Sequence, residues 1–348
     1  MKTIYKKDFL RLFDFTAQEI IYLIELAILL KKKKYKNKEN KVLKNKNIVL
    51  IFEKESTRTR CSFEVAAYDQ GAFVTNLNYK NSQIGYKESI KDTARVLDKI
   101  YDGIQYRGFD QSVINKLAYY SRVPVWNGLT NQFHPTQLLA DLMTIKENMP
   151  LNKYFNEIII SYIGDTKNNI SNSLLEAAAI FGFDLRLISP KKYYPEKKFF
   201  NICKEISESN GGKIIVTDNI KLGVKDSDFL YTDVWLSMGE SSKKWKERVS
   251  ILKTYQVNTL MLKNSFNPKI KFLHCLPSFH NEDSILGKEI IKNHKLSSKG
   301  IEVTNNIFES NNSLVFKQSE NRLHTIKSLL ISTLYKNNNI LEYKKLYE

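Results

Sequence analysis

The chain has 348 residues, 42% hydrophobic and 26% charged, a balance that sustains packed cores and excludes a disordered protein. That length exceeds one ordinary core and suits two α/β domains. The formal charge is +17, from 54 Lys and Arg against 37 Asp and Glu, yet the lysines are dispersed with asparagine along the whole chain; the clustered basic footprint of a nucleic-acid-binding protein is missing.

In chain order, the Lys- and Asn-rich run Lys31 to Lys46 is expected to be a solvated helix end and loop. KNIVLIF (46–52) is short, apolar and rich in β-branched residues, which predicts a buried parallel strand. After it, Ser56-Thr57-Arg58-Thr59-Arg60 offers hydroxyls and guanidinium groups with no acid among them. The spacing of Phe63, Ala66, Ala67 and Gln70 predicts a helix over 61–72 that stops near Gly71. The donors therefore stand at a strand-to-helix junction, where unpaired amides and the helix dipole favour an anion. The segment lacks the P-loop pattern G-x-x-x-x-G-K-[ST], so a small phosphorylated metabolite is expected rather than a nucleotide. The plainer alternative is an N-cap serine with two solvated arginines.

Further strands are predicted at 72–78, 103–108 and 123–128, with a helix at 88–100. The second half repeats the alternation, with strands at 157–165, 184–190, 212–218, 228–233 and 271–277. This pattern predicts two doubly wound parallel sheets, whose ligands bind at the carboxyl ends of strands. HPTQLLADLMTIKENM (134–149) is expected to bridge the halves, and ENRLHTIKSLLISTLYK (320–336) to be a second long amphipathic helix that packs back on the first half. The expected division is 1–150, 151–320 and a returning helix in 321–348. Cys61, Cys203 and Cys275 show neither a disulfide framework nor metal-ligand spacing, which fits a reducing cytoplasm. The segment MKTIYKKDFLRLFDF lacks an apolar core with a cleavage site and no apolar run approaches 18 residues, so neither secretion nor membrane spanning is expected.

Unusual residues gather at the strand ends: Arg107, then His134 and Gln137, Asn168 and Asn169, Asp233, Cys275, and finally Arg322 on the last helix. Singly each has a structural explanation, such as a helix cap for His134 or Asp233, an inert buried thiol for Cys275, or a helix-surface charge for Arg322. Jointly the motifs FEKESTRTR, SQIGYKESIKDTARVLDKIYDGIQYRG, HPTQLLADL, GDTKNN, DVWLSMGE, HCLPSFH and ENRLHTIK resemble the ornithine carbamoyltransferases over nearly the whole chain. STRTR and HPTQ mark the wider carbamoyltransferases; DVWLSMGE and HCLP mark the ornithine branch.

The resemblance implies transfer of a carbamoyl group from carbamoyl phosphate to L-ornithine, giving citrulline, in cytoplasmic arginine biosynthesis. It implies that Ser56, Thr57, Arg58 and Thr59 hold the phosphate, that Arg107 bridges phosphate and carbonyl oxygen, and that His134 and Thr59 donate to that oxygen. Gln137 and the backbone at Cys275 and Leu276 would accept from the carbamoyl NH2, and Arg322 would close the site. Gln83 would serve the neighbouring subunit, which makes a homotrimer with shared active sites. Asp233 would take the α-ammonium of ornithine; Asn168 or Asn169, Ser237 and the backbone at Met238 would take its carboxylate, and Cys275 would lie near the δ-amine. No metal or other cofactor is called for.

Two residues depart from the family pattern, Asp98 in the ARVLxK segment and Ser278 after HCLP, and Asp98 puts local helix packing in question. Four other functions differ from this one in what they require of the sequence. An aspartate carbamoyltransferase would call for an arginine-rich second site, and DVWLSMGE offers an acid instead. A putrescine carbamoyltransferase presents the same attacking amine. A catalytically silent partner that only binds and regulates another enzyme would be expected to lack His134, Arg107 or Cys275, all of which are present, and a non-catalytic basic protein that binds nucleic acid is the remaining alternative.

Overall fold

A computed structural model of the chain describes residues 4–79, 82–236, 240–294, 296 and 300–336. The first half contains α1 (Ala17–Tyr35), β1 (Asn47–Phe52), α2 (Thr57–Asp69), β2 (Phe73–Asn78), α3 (Ile90–Ile100), β3 (Gly103–Arg107), α4 (Gln111–Tyr120), β4 (Val125–Leu129) and α5 (Pro135–Asn148). The second half begins with β5 (Ile159–Ile163), α6 (Asn169–Phe181), β6 (Asp184–Ile188), α7 (Lys197–Ser209), β7 (Lys213–Thr217), α8 (Ile220–Val224) and β8 (Phe229–Thr232). It continues with α9 (Trp245–Leu252), α10 (Thr259–Asn264), β9 (Lys271–His274), α11 (Ile285–Asn293), α12 (Asn305–Phe308) and α13 (Val315–Leu334). Each predicted strand lies where the apolar, β-branched run falls in the sequence.

These elements form two compact units. One comprises the described residues of Met1–Met143 and Glu320–Glu348, the other those of Thr144–Ser319, so the division falls inside α5 and inside α13. The first unit carries a parallel sheet of order β2-β1-β3-β4, the second a parallel sheet of order β7-β6-β5-β8-β9. In each, the chain winds outward one way and then restarts on the other side, so the order reverses between β1 and β3 and between β5 and β8. A crevice opens outside the carboxyl ends of the strands at such a switch point.

In the first unit, Val49, Ile51, Ile104, Tyr106, Ile114 and Leu117 pack one face of the sheet under α3 and α4. In the second, Ile163, Leu230 and Phe272 pack with Trp235, Trp245 and Val257. Among the described residues, no helix is long and apolar enough to cross a membrane.

Four expectations need correction. α2 begins at Thr57 rather than near 61, because the Ser56 hydroxyl accepts the Thr59 amide at 3.1 Å and starts the helix inside the donor run. α13 begins at Val315, and it is buried on almost every side from Asn321 to Leu334 instead of being amphipathic. The Lys31–Lys46 run is only partly solvated: Lys31 donates to Asn321 at 2.7 Å, Lys34 pairs with Asp69, and Glu39 accepts from Lys327 at 2.6 Å. Asp98 leaves α3 unbroken, its carboxylate accepting the Arg122 amide at 3.2 Å.

Candidate active site

The first cluster forms around Thr59. β1 and β3 pair in a register that sets Phe52 opposite Arg107, so the loop after β1 starts beside the arginine that ends β3. Arg107 and Thr59 are buried, and Arg107 Nη1 donates to Thr59 Oγ1 at 3.0 Å. Arg322 Nη2, from α13, donates to the same oxygen at 2.6 Å. Two guanidinium donors fill both lone pairs of the hydroxyl, which leaves its proton to be given elsewhere. Gly128 makes this approach possible, because a Cβ there would stand 2.2 Å from Gln105 Nε2 and 3.1 Å from the Thr59 methyl.

Arg322 also donates to Gln137 Oε1 at 3.0 Å and lies 3.3 Å from His134 Nε2. A guanidinium cannot accept, so His134 presents Nε2 as the acceptor and carries its proton on Nδ1. Burial, together with Arg322, Arg107 and Arg58, holds the imidazole well below its ordinary range and therefore neutral. Gln137 Nε2 is oriented by Asp141 Oδ1 at 2.8 Å. Arg322 is thus no surface charge.

The donor run divides. Ser56 is half-buried and caps α2, Arg58 is half-buried, and Thr57 is exposed on the first turn. Arg60 is exposed and bonds Glu64 at 3.0 Å, so it stands apart from the cluster. Gln83 is likewise no member of it; it is exposed, and its carbonyl oxygen accepts the amides of Tyr86, Lys87 and Glu88. Lys54, missed in the sequence, is buried beside the end of β1, donating to Asn131 at 2.6 Å with its ammonium 4.4 Å from the Phe109 ring centroid. Its signal was its place two residues after an apolar strand.

The second cluster follows from another register. Thr232 of β8 pairs with His274 of β9, so Asp233 and Cys275, the next residues of each, emerge side by side. Cys275 Sγ donates to Asp233 Oδ1 at 3.0 Å, and the same oxygen accepts the Val234 amide at 2.8 Å. Burial pushes the Asp233 carboxyl above its ordinary range, against the opposing pull of His274, Cys275 and the Val234 amide. Asn168 caps α6 through the Ser171 amide, donates to the Tyr162 hydroxyl at 2.6 Å and lies 3.5 Å from Asp233 Oδ2. Asn169 opens α6 and is half-buried. Gly164, at φ +125°, turns the chain out of β5 toward this cap. Ser237 and Met238 lie outside the described residues.

Behind the pair stands a buried set not chosen from sequence. Glu302 Oε1 accepts from Ser278 Oγ at 2.7 Å, from the Phe279 amide at 2.7 Å and from His274 Nε2 at 3.2 Å. Burial alone would raise Glu302, but these bonds and His274 hold it below the usual carboxylate range. The Leu276 amide donates to His274 Nδ1 at 2.9 Å, which holds Leu276 at φ +58°, a backbone setting that residues with a side chain rarely adopt. Ligand atoms of Asp233, His274 and Cys275 lie within 4.8 Å of one another. Both ring nitrogens of His274 are already committed, so the three are built as a hydrogen-bonded group rather than an open metal cage. Arg248 ties Asp165, in the turn before α6, to Glu240, and its guanidinium lies 4.3 Å from the Tyr193 ring centroid.

Two family models match the chain, one over each half. Residues 7–147 match the carbamoyl-P binding domain of aspartate/ornithine carbamoyltransferase, and residues 156–333 match its Asp/Orn binding domain. The ornithine carbamoyltransferase of Blochmanniella floridana is 57% identical over 337 residues, covering 97% of this chain and 96% of that one. That of Buchnera aphidicola subsp. Schizaphis graminum is 58% identical over 339 residues, covering 97% and 100%. The structure of ornithine carbamoyltransferase from Pyrococcus furiosus superposes with a TM-score of 0.86 at 36% identity, covering 96% and 99%. The Thr59 cluster in one unit and the acid-thiol pair in the other thus fall within the two matched domains, and the chain belongs to the aspartate/ornithine carbamoyltransferase family.

Proposed function

We propose that the chain transfers the carbamoyl group of carbamoyl phosphate to the δ-amine of L-ornithine, giving L-citrulline and phosphate, as a cytoplasmic step of arginine biosynthesis. Ser56, Thr57, Arg58 and Thr59 receive the phosphate at the N-terminus of α2, where the helix dipole and free amides add to the guanidinium charge. Arg107 spans phosphate and carbonyl oxygen. The Thr59 hydroxyl proton and the Nδ1–H of neutral His134 answer the charge that grows on that oxygen as the amine attacks. The amine lone pair forms the C–N bond, the C–O bond breaks, phosphate leaves with the electron pair, and the nitrogen loses one proton. An amine attacks only when deprotonated, which places the pH optimum above neutrality.

In the second unit Asp233 takes the α-ammonium of ornithine, and its α-carboxylate meets the N-terminus of α6, capped by Asn168 and opened by Asn169. The observation that carries the choice of ornithine over aspartate is the contact between the buried Asp233 and the half-buried Cys275, since a dicarboxylate would face like charge there. Gln83, exposed in its own subunit, completes the carbamoyl-phosphate site of a neighbour in a homotrimer.

Product formation from carbamoyl phosphate with L-ornithine, putrescine, L-lysine and L-aspartate on one preparation tests this. The highest kcat/KM is expected with ornithine; putrescine equal to it or better overturns the assignment.

A further inference from the structure

Helix α2 carries the phosphate turn at one end and Asp69 at the other, and α13 grips both. At the first end Arg322 donates to Thr59 Oγ1. Five residues further along α13 lies Lys327, whose side chain is fully buried and donates to Asp69 Oδ2 at 2.7 Å and to Glu39 Oε1 at 2.6 Å. Asp69 also receives Lys34, from the last turn of α1. Lys327 and Lys34 thus face Asp69 and Glu39. His324, one turn back, is kept neutral, pushed down to about 3 by burial and by the ammonium groups of Lys327, Lys31 and Lys34.

An aliphatic side chain would fill the Lys327 position without the cost of taking an ammonium out of water, so net stability does not explain it. What an ionic group supplies is register. If α13 slid by one turn along α2, about 5.4 Å, the ammonium and its two carboxylates would be left unpaired in a buried place. Arg322 travels with Lys327, since one helix carries both. We propose that Lys327 is a positioning residue for carbamoyl phosphate: through Asp69 and Glu39 it sets the register of α13 on α2 and so holds Arg322 against Thr59. This rests on the phosphate turn being the carbamoyl-phosphate site.

The test uses the full chain carrying Lys327→Met with Glu39→Gln, which removes the ammonium and one carboxylate and leaves the Asp69–Lys34 pair intact. The expected result is a KM for carbamoyl phosphate raised about tenfold or more, with the KM for ornithine at saturating carbamoyl phosphate nearly unchanged, and partial recovery in Lys327→Arg. Asp69→Asn, at the partly exposed end of the network, should show the same split and serves if the double variant does not fold. Carbamoyl-phosphate binding to the unaltered chain is measured alongside by calorimetry. An unaltered chain that does not bind overturns the site assignment and this proposal with it. A chain that binds, whose variants lose thermal stability but keep the KM for carbamoyl phosphate or raise both KM values together, overturns the proposal alone.

Discussion

Arg322 and Thr59, 263 positions apart in the sequence, meet at 2.6 Å between Nη2 and Oγ1. Lysine cannot reproduce the guanidinium fork that reaches Thr59, Gln137 and His134 together. Arg322→Lys should therefore lower kcat for citrulline formation by about 10²-fold, roughly 2.7 kcal/mol, a loss typical of one oxyanion-stabilising donor. Steady-state kinetics on a variant with an unaltered unfolding temperature checks this.

Thr59 permits a finer comparison. Thr59→Ser keeps an oxygen for both arginines and a proton for the substrate, whereas Thr59→Val leaves two buried guanidinium groups without their acceptor. The serine variant should remain active. The valine variant should lose about 1–3 kcal/mol of stability as well as turnover, to be read from denaturant midpoints and from kcat.

The Asp233 carboxyl has its own pH signature. Burial raises it, and only the ionised form attracts an ammonium, so the KM for ornithine should rise as pH falls through a value above the ordinary 3.8. Asp233→Asn should flatten that acid limb and lower kcat/KM for ornithine by about 2 kcal/mol or more, while leaving carbamoyl-phosphate binding unchanged. A pH series of kcat/KM on both proteins measures it.

His324 links pH to stability. Its folded pKa, about 3, lies below the 6.5 of the unfolded chain, so the unfolded state binds the extra proton between those values. Stability is fully present above pH 6.5 and falls with decreasing pH by about 1.4 kcal/mol per unit from this residue alone. His324→Asn should show a slope shallower by that amount than the parent, by denaturant titration between pH 6.5 and 5. Comparing parent with variant cancels the opposite contribution of Asp8, whose carboxyl burial raises to about 6.

Sharing of sites between subunits can be examined by complementation. Inactive Arg58→Gly chains mixed with inactive Gln83→Ala chains should regain part of the activity after dissociation and reassembly. No regain from two variants that each assemble normally would show that Gln83 serves no neighbouring site.

The features legible along the chain are local. NIVLIF at β1 and KFLH at β9 are apolar and β-rich in any context, and the hydroxyls and arginines that follow β1 must meet a helix start because Phe63, Ala66 and Ala67 impose one. The positions of Arg107, His134, Asp233 and Cys275 at strand ends follow from the same patterns. Which of these residues touch depends on how the elements pack. The Thr232–His274 register, not any motif, puts Cys275 against Asp233, and a slip of one residue would turn the pair apart. Arg60 has the same donors as Arg58, yet its position on α2 sends it to Glu64 and solvent. Lys31 to Lys46 reads as a solvated run because charge alone does not reveal that Asp69 and Lys327, distant in the chain, lie beside it. Ser278, a departure from the family pattern with no evident role in the sequence, donates its hydroxyl to Glu302 at 2.7 Å. Propensity and periodicity act over a few residues and can be read along the chain, whereas pairings between buried polar groups depend on how whole elements pack, which no single segment encodes.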